Sequence, residues 1–207
     1  RTVSSASLWR RLLYSLIIVI VFEGLLRKLL PSFSSQALFF AKDGICVLML
    51  LLLLREGAIK SSEMIIKPWL LFTILLAPIV INTFAKAPVL VIFGSKQYIL
   101  FPIVAVAVIK AFPPNKVECL RQFGHFLALL VLPTTAIALL QLGLPSGHWL
   151  NQGVGQSDLS GFSAGGMQRV SSSFAFVAQF TMFLNAMVFG LGLRYALGAP
   201  QKIHVSL

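Results

Sequence analysis

The sequence predicts an all-α fold, a polytopic bundle of about six transmembrane helices with its N-terminus inside. Three observations predict it. Hydrophobic residues make up 57% of the chain and charged residues only 11%, where a soluble domain carries about 25% charged residues. Mean hydropathy is +0.90, which makes lipid the expected solvent. Apolar stretches close to the ~20 residues that a bilayer core demands recur between basic residues. The net charge of +11, from 17 Lys+Arg against 6 Asp+Glu, would suggest nucleic acid in a soluble protein. In a membrane chain basic residues collect in cytoplasmic loops instead, so no nucleic-acid partner is expected. Cys46 and Cys119 show neither C-x-x-C nor zinc spacing, which excludes a disulfide framework and leaves no metal set.

The first span is read at Leu12–Leu26, after Arg10 and Arg11. No A-x-A-like cleavage site follows, so it is a retained helix and not a signal peptide. The second span is Ala37–Leu54, ending in a leucine-rich run before Arg55. A short turn, Pro31–Ser35, joins the two. The third is Pro68–Phe84, whose internal Pro78 a membrane helix tolerates. The fourth is Gln97–Phe112, and the apolar Pro88–Gly94 before it is too short to span and is assigned to the interface. The fifth and sixth are Phe123–Leu142 and Phe174–Leu197.

With the N-terminus inside, eleven Lys and Arg fall on inner segments and six on outer ones (Arg27, Lys28, Lys42, Lys86, Lys96 and Arg169), which satisfies the positive-inside rule. Trp9, Trp69 and Trp149 are placed in headgroup belts. Residues 1–207 are thus one helical membrane domain, expected to be the N-terminal half of a larger protein. An outer loop at about 143–173 carries Gly153, Gly155, Gly161, Gly165 and Gly166 and is expected to be flexible.

The outward cations carry the functional reading. Glu23, Arg27 and Lys28 end the first span, and Lys42 and Asp43 begin the second. Charges at membrane depth cost roughly 2.5–3.5 kcal/mol each, so they are paired, snorkelled or functional. Two readings of Glu23 and Arg27 stand: a structural i,i+4 pair, or part of an anion pocket. Asp43 suits a helix N-terminus, and pairing leaves Lys28 and Lys42 without acidic partners in the sequence. Arg169 stands just before the sixth span in R-V-S-S-S-F. It either anchors a helix end or, with the Ser171, Ser172 and Ser173 hydroxyls, cradles an anion. His148 is the one outward histidine, a weak candidate base beside Trp149. Membrane lipid and a phosphate-bearing headgroup are the partners this pattern suits.

The segment F-E-G-L-L-R-K-L-L-P-S-F-S-S (Phe22–Ser35), then A-K-D-G (Ala41–Gly44), resembles the opening of the bacterial O-antigen ligase/polymerase-like membrane proteins. H-W-L-N-Q-G-V-G (His148–Gly155) and R-V-S-S-S-F (Arg169–Phe174) are similar to that family's W-I-N…R-x-x-G-T-F stretch. Ser172 and Ser173 stand where the family pattern has Gly-Thr, which leaves the turn after Arg169 open. The resemblance implies envelope polysaccharide synthesis at the outer face of a bacterial inner membrane. A glycan passes from a polyprenyl-pyrophosphate carrier to a glycan or lipid acceptor, with no metal, cofactor or nucleotide sugar. It assigns pyrophosphate binding to Arg169, Arg27, Lys28 and Lys42, with Glu23 and Asp43 as supporting ion pairs. The base is expected from the second half, with His148 a poor substitute. The alternative class is a transporter or flippase of a lipid-linked or anionic solute, for which Pro78 and Pro133 within spans speak.

Overall fold

A computed structural model describes residues 5–30, 32–56, 63–113, 117–145, 147–152, 163–164, 167–168, 170–175 and 177–196. They form seven helices in chain order: α1 Ser5–Leu29, α2 Ser32–Phe39, α3 Ala41–Arg55, α4 Glu63–Lys86, α5 Pro88–Ala111, α6 Val117–Gly143 and α7 Val177–Ala196. A single 3-10 turn, Trp149–Asn151, follows α6. Between it and α7, two two-residue strands, β1 Ser163–Ala164 and β2 Met167–Gln168, pair antiparallel, with Ser163 opposite Gln168.

The helices form where apolar runs leave the backbone no polar partner but itself. In α1 the run Ile17–Val21 is entirely β-branched, which lowers intrinsic helix propensity. Pro88 opens α5 at its N-terminus, where its missing N–H costs nothing. Prolines also stand inside α4 (Pro68, Pro78), α5 (Pro102) and α6 (Pro133).

The chain divides into two compact units. The first takes residues up to Ile17 and Phe40–Pro113, with α5 packed on both α3 and α4. Its core is three stripes at helical spacing: Trp9, Leu13 and Leu16; Cys46, Met49 and Leu53; Ile103, Val106, Ala107 and Ala111. Trp9 is fully buried, and its indole Nε1–H donates to Glu56 Oε1 at 3.3 Å. Lys110 holds the other oxygen of the same carboxylate at 2.7 Å. Trp9 therefore packs inside the protein, whereas Trp149 is exposed.

The second unit takes Ile18–Phe39 and the chain from Pro114 onward, with α6 packed on α7. The inward stripe of α6 is Leu130, Thr134, Ala138 and Gln141, two of them polar. Phe174 lies 5.9 Å from Phe180 and 5.2 Å from Phe183, ring centroid to centroid, and anchors the approach to α7.

Two segments, Ala37–Arg55 and Val117–Gly143, are long and apolar enough to cross a membrane. Lys67–Pro78, Pro102–Ala111 and Val177–Gly192 are shorter apolar helices. Only 17% and 28% of the two longer windows are buried within the protein, so most of their apolar side chains face outward.

Three local expectations change. Ser32–Ser35 begin helix α2 instead of forming a turn, since nothing after Pro31 breaks an apolar helix. Pro88–Gly94 belongs to α5, because Gln97 does not stop a helix that Pro88 has started. The stretch 143–173 is not flexible throughout: Leu150, Asn151 and Ser171–Ser173 are buried.

Candidate functional site, a polar cluster at the end of α1

The last turns of α1 carry three charged residues in the second unit. Glu23 is 3% exposed and accepts from Arg27 Nη1 at 3.2 Å. Arg27 Nε also reaches Ser35 Oγ on α2 at 3.4 Å, and the guanidinium carbon lies 5.0 Å from the centroid of the Phe39 ring, a cation–π distance. The i,i+4 spacing that the sequence offered as a structural pair is thus a pair, and α2 holds it from the far side.

Lys28 is held differently. Its Nζ donates to the Leu150 carbonyl at 2.7 Å, and no carboxylate reaches it among the described residues. It lies beyond the apolar stretch Leu12–Leu26, and burial pushes its ammonium down to about 8 from 10.5. A cation desolvated without a counter-ion is one that an incoming anion stabilises.

Gln141 ties the surrounding segments together from α6. Its Nε2 donates to Leu150 O at 2.7 Å, the same carbonyl that Lys28 uses, and its Oε1 accepts from Ser172 N at 2.7 Å. Asn151 Nδ2 lies 3.2 Å from Gln141 O, 3.3 Å from Leu144 O and 3.0 Å from Pro145 O, sealing the end of α6, where carbonyls lack helical partners. Ser172 Oγ donates to Thr134 O at 2.6 Å. Leu25 N, within α1, donates to Ser173 O at 2.8 Å.

Ser172 has φ 54°, the left-handed region that glycine adopts freely and other residues at a cost of about 1–2 kcal/mol. This is the position at which the resembled pattern has glycine. Its three hydrogen bonds with Gln141 and Thr134 of α6 hold the serine there. Ser171, Ser172 and Ser173 are all buried, and the Ser172 hydroxyl is committed to Thr134, so it is not available to the expected cradle. Ser171 Oγ, Ser173 Oγ and Asn151 Oδ1 are buried without a hydrogen-bond partner among the described residues. Such groups cost about 1–3 kcal/mol each and call for water or a polar ligand.

The remaining expected residues are placed as follows. Arg169 lies outside the described residues. Lys42 and Asp43 stand in the first turn of α3, in the first unit, each with interactions of its own. His148 caps the 3-10 turn, its Nδ1 accepting from Leu150 N at 3.3 Å, and its ring lies 5.6 Å from that of Trp149. Its Nδ1 is therefore committed as an acceptor, which puts the proton of the neutral ring on Nε2 and weakens the case for His148 as a base. No group of metal ligands occurs among the described residues, and Cys46 and Cys119 are buried thiols outside any disulfide. Sequence reasoning missed Gln141, Asn151 and Gly24; the signal for the first was Thr134 and Gln141, seven apart on one face of an otherwise apolar helix.

Comparison with protein-family models, with curated proteins and with solved structures finds no match to this chain.

Proposed function

We propose that the protein is a multi-pass membrane protein of the bacterial inner membrane. In this reading it serves envelope polysaccharide synthesis, in the manner of the O-antigen ligases and polymerases. The cluster at the end of α1 binds the pyrophosphate of a polyprenyl-linked glycan donor. An acceptor hydroxyl oxygen then bonds to the anomeric carbon, and its proton leaves to a base. The bond from that carbon to the pyrophosphate oxygen breaks, and the electron pair departs on the pyrophosphate. Cations fixed beside that oxygen lower the barrier, because the charge develops only in the transition state.

The observation that carries this reading is Lys28, half-buried on a backbone carbonyl with no carboxylate beside it among the described residues. The unsatisfied Ser171 and Ser173 hydroxyls add to it. The outward-facing apolar surface of α3 and α6 supports lipid as the surrounding solvent, since the core helix of a soluble protein would be mostly buried. Arg27, bound to Glu23, Ser35 and Phe39, orients its neighbours, and Arg169 is assigned the same anion-binding role.

The test is glycan elongation in cells carrying Lys28→Met in the full-length protein. Elongation is lost while the protein still inserts. Polymer of normal length would refute the reading. A second reading, transport or flipping of a lipid-linked anion, draws on the prolines inside α4, α5 and α6; transport by the purified protein in liposomes, without glycan transfer, selects it.

A further inference from the structure

Gly24 is the glycine of the F-E-G segment, and no part of the anion-binding reading uses it. A Cβ built there would stand 2.0 Å from Phe174 C, 2.2 Å from Ala175 N and 2.3 Å from Phe174 O. All three are backbone atoms, so no side-chain rotation relieves the clash. One residue later, Leu25 N–H turns to Ser173 O at 2.8 Å. The backbone of Ser173–Ala175 therefore lies directly on the backbone of α1, four residues before Lys28. Gly190 shows the contrast within the same unit: its added Cβ would meet only a Leu127 side-chain carbon at 3.6 Å, an ordinary contact.

The seated segment is held from its other side by α6. Gln141 accepts from Ser172 N and donates to Leu150 O, and Leu150 O is the acceptor of the Lys28 ammonium. A continuous path of backbone and amide contacts runs from Gly24 through Ser173, Ser172 and Gln141 to the carbonyl that fixes Lys28. We propose that Gly24 is a positioning residue: a side-chain-free notch in α1 that seats the Ser171–Ala175 segment and thereby sets where the Lys28 ammonium sits. This rests on the reading of Lys28 as the anion-binding cation. It adds that the site's geometry depends on a residue with no side chain at all.

The test uses the full-length protein in lipid nanodiscs with two readouts that need no substrate. A Ser173→Cys reporter, resolved from Cys46 and Cys119 by peptide mapping, gives the maleimide labelling rate of the seated segment. Competitive acylation of Lys28, followed against pH by mass spectrometry, gives the titration midpoint of its amine. With Gly24 intact the reporter is protected and the midpoint lies near 8. Gly24→Ala raises labelling by about tenfold or more and moves the midpoint up toward 10.5, as Leu150 and its neighbours let water reach the ammonium. Gly192→Ala, where nothing lies within 4 Å of an added Cβ, changes neither. Should Gly24→Ala fail to insert, Gln141→Leu breaks the same path from α6 and gives the same two changes. Protection and midpoint both retained in whichever variant inserts would overturn the proposal. Inorganic pyrophosphate added as a third arm separates the two claims. If the midpoint moves with Gly24→Ala but pyrophosphate never protects Lys28 from acylation, the notch stands and the anion reading falls.

Discussion

Replacing Gln141 by leucine is the sharpest perturbation of the second unit, because one amide side chain serves three segments. The residue is 1% exposed, and leucine nearly fills its volume, so no large cavity adds to the cost. What is lost is hydrogen bonding. The donation to Leu150 O at 2.7 Å disappears, although Lys28 still supplies that carbonyl. The acceptance from Ser172 N at 2.7 Å also disappears, and nothing replaces it. The first loss costs about 0.5–1.5 kcal/mol, and a buried amide left without a partner about 1–3 kcal/mol. The more apolar leucine side chain returns part of this, for a net destabilisation of about 1–3 kcal/mol. Equilibrium unfolding in mixed detergent micelles against SDS measures it. Gln141→Glu serves as the comparison, since it keeps an acceptor for Ser172 N but brings a charge into a buried site. A Gln141→Leu protein within about 0.5 kcal/mol of the parent, the range of an ordinary surface substitution, would refute the view that this amide holds the cluster together.

Two further outcomes follow from the same cluster. Ser172→Gly relieves a left-handed backbone at φ 54° but loses the bond to Thr134 O, so stability changes by less than about 1 kcal/mol. Ser172→Val loses the bond and forces a β-branched residue into that region, costing several kcal/mol by the same assay; equal effects of the two would contradict the assigned backbone. Pyrophosphate retention should fall as pH rises through about 8, because the ammonium is the binding form, and Lys28→Arg should retain it at higher pH. The stability sign is the opposite. Lys28 holds its proton less tightly folded than unfolded, so the unfolded chain carries more protons between about 8 and 10.5, and stability rises with pH across that window. Retention that is flat with pH, or stability that falls there, would exclude Lys28 as the titrating group.

Much of the helical pattern was legible in the sequence. Helix formation along an apolar run is largely local, so α3, the apolar part of α1 and the C-terminal end of α6 could be read from the sequence, while α6 starts at Val117, well before the expected Phe123. The Glu23–Arg27 pair was legible for the same reason, since i,i+4 spacing places the two on one face before any tertiary contact forms. The spare charge on Lys28 also showed in the sequence, as a cation without an acidic neighbour at helical spacing.

Tertiary structure alone decided the rest. Whether Arg27 is free or engaged depended on α2 bringing Ser35 and Phe39 to it. The serine triplet looked like a row of available hydroxyls because sequence distance hides burial; in the fold Thr134 claims the middle one and the other two are enclosed. Gly24 could not be separated from any other helical glycine, because its meaning lies in the backbone of Phe174 and Ala175, some 150 residues away. Backbone-to-backbone approach leaves no pattern of side-chain chemistry to read. The amino acids determined on their own where the chain becomes helical and which charges go unpaired by their neighbours; packing determined which of those charges stay unpaired, since only the folded chain brings remote carbonyls, amides and rings within reach.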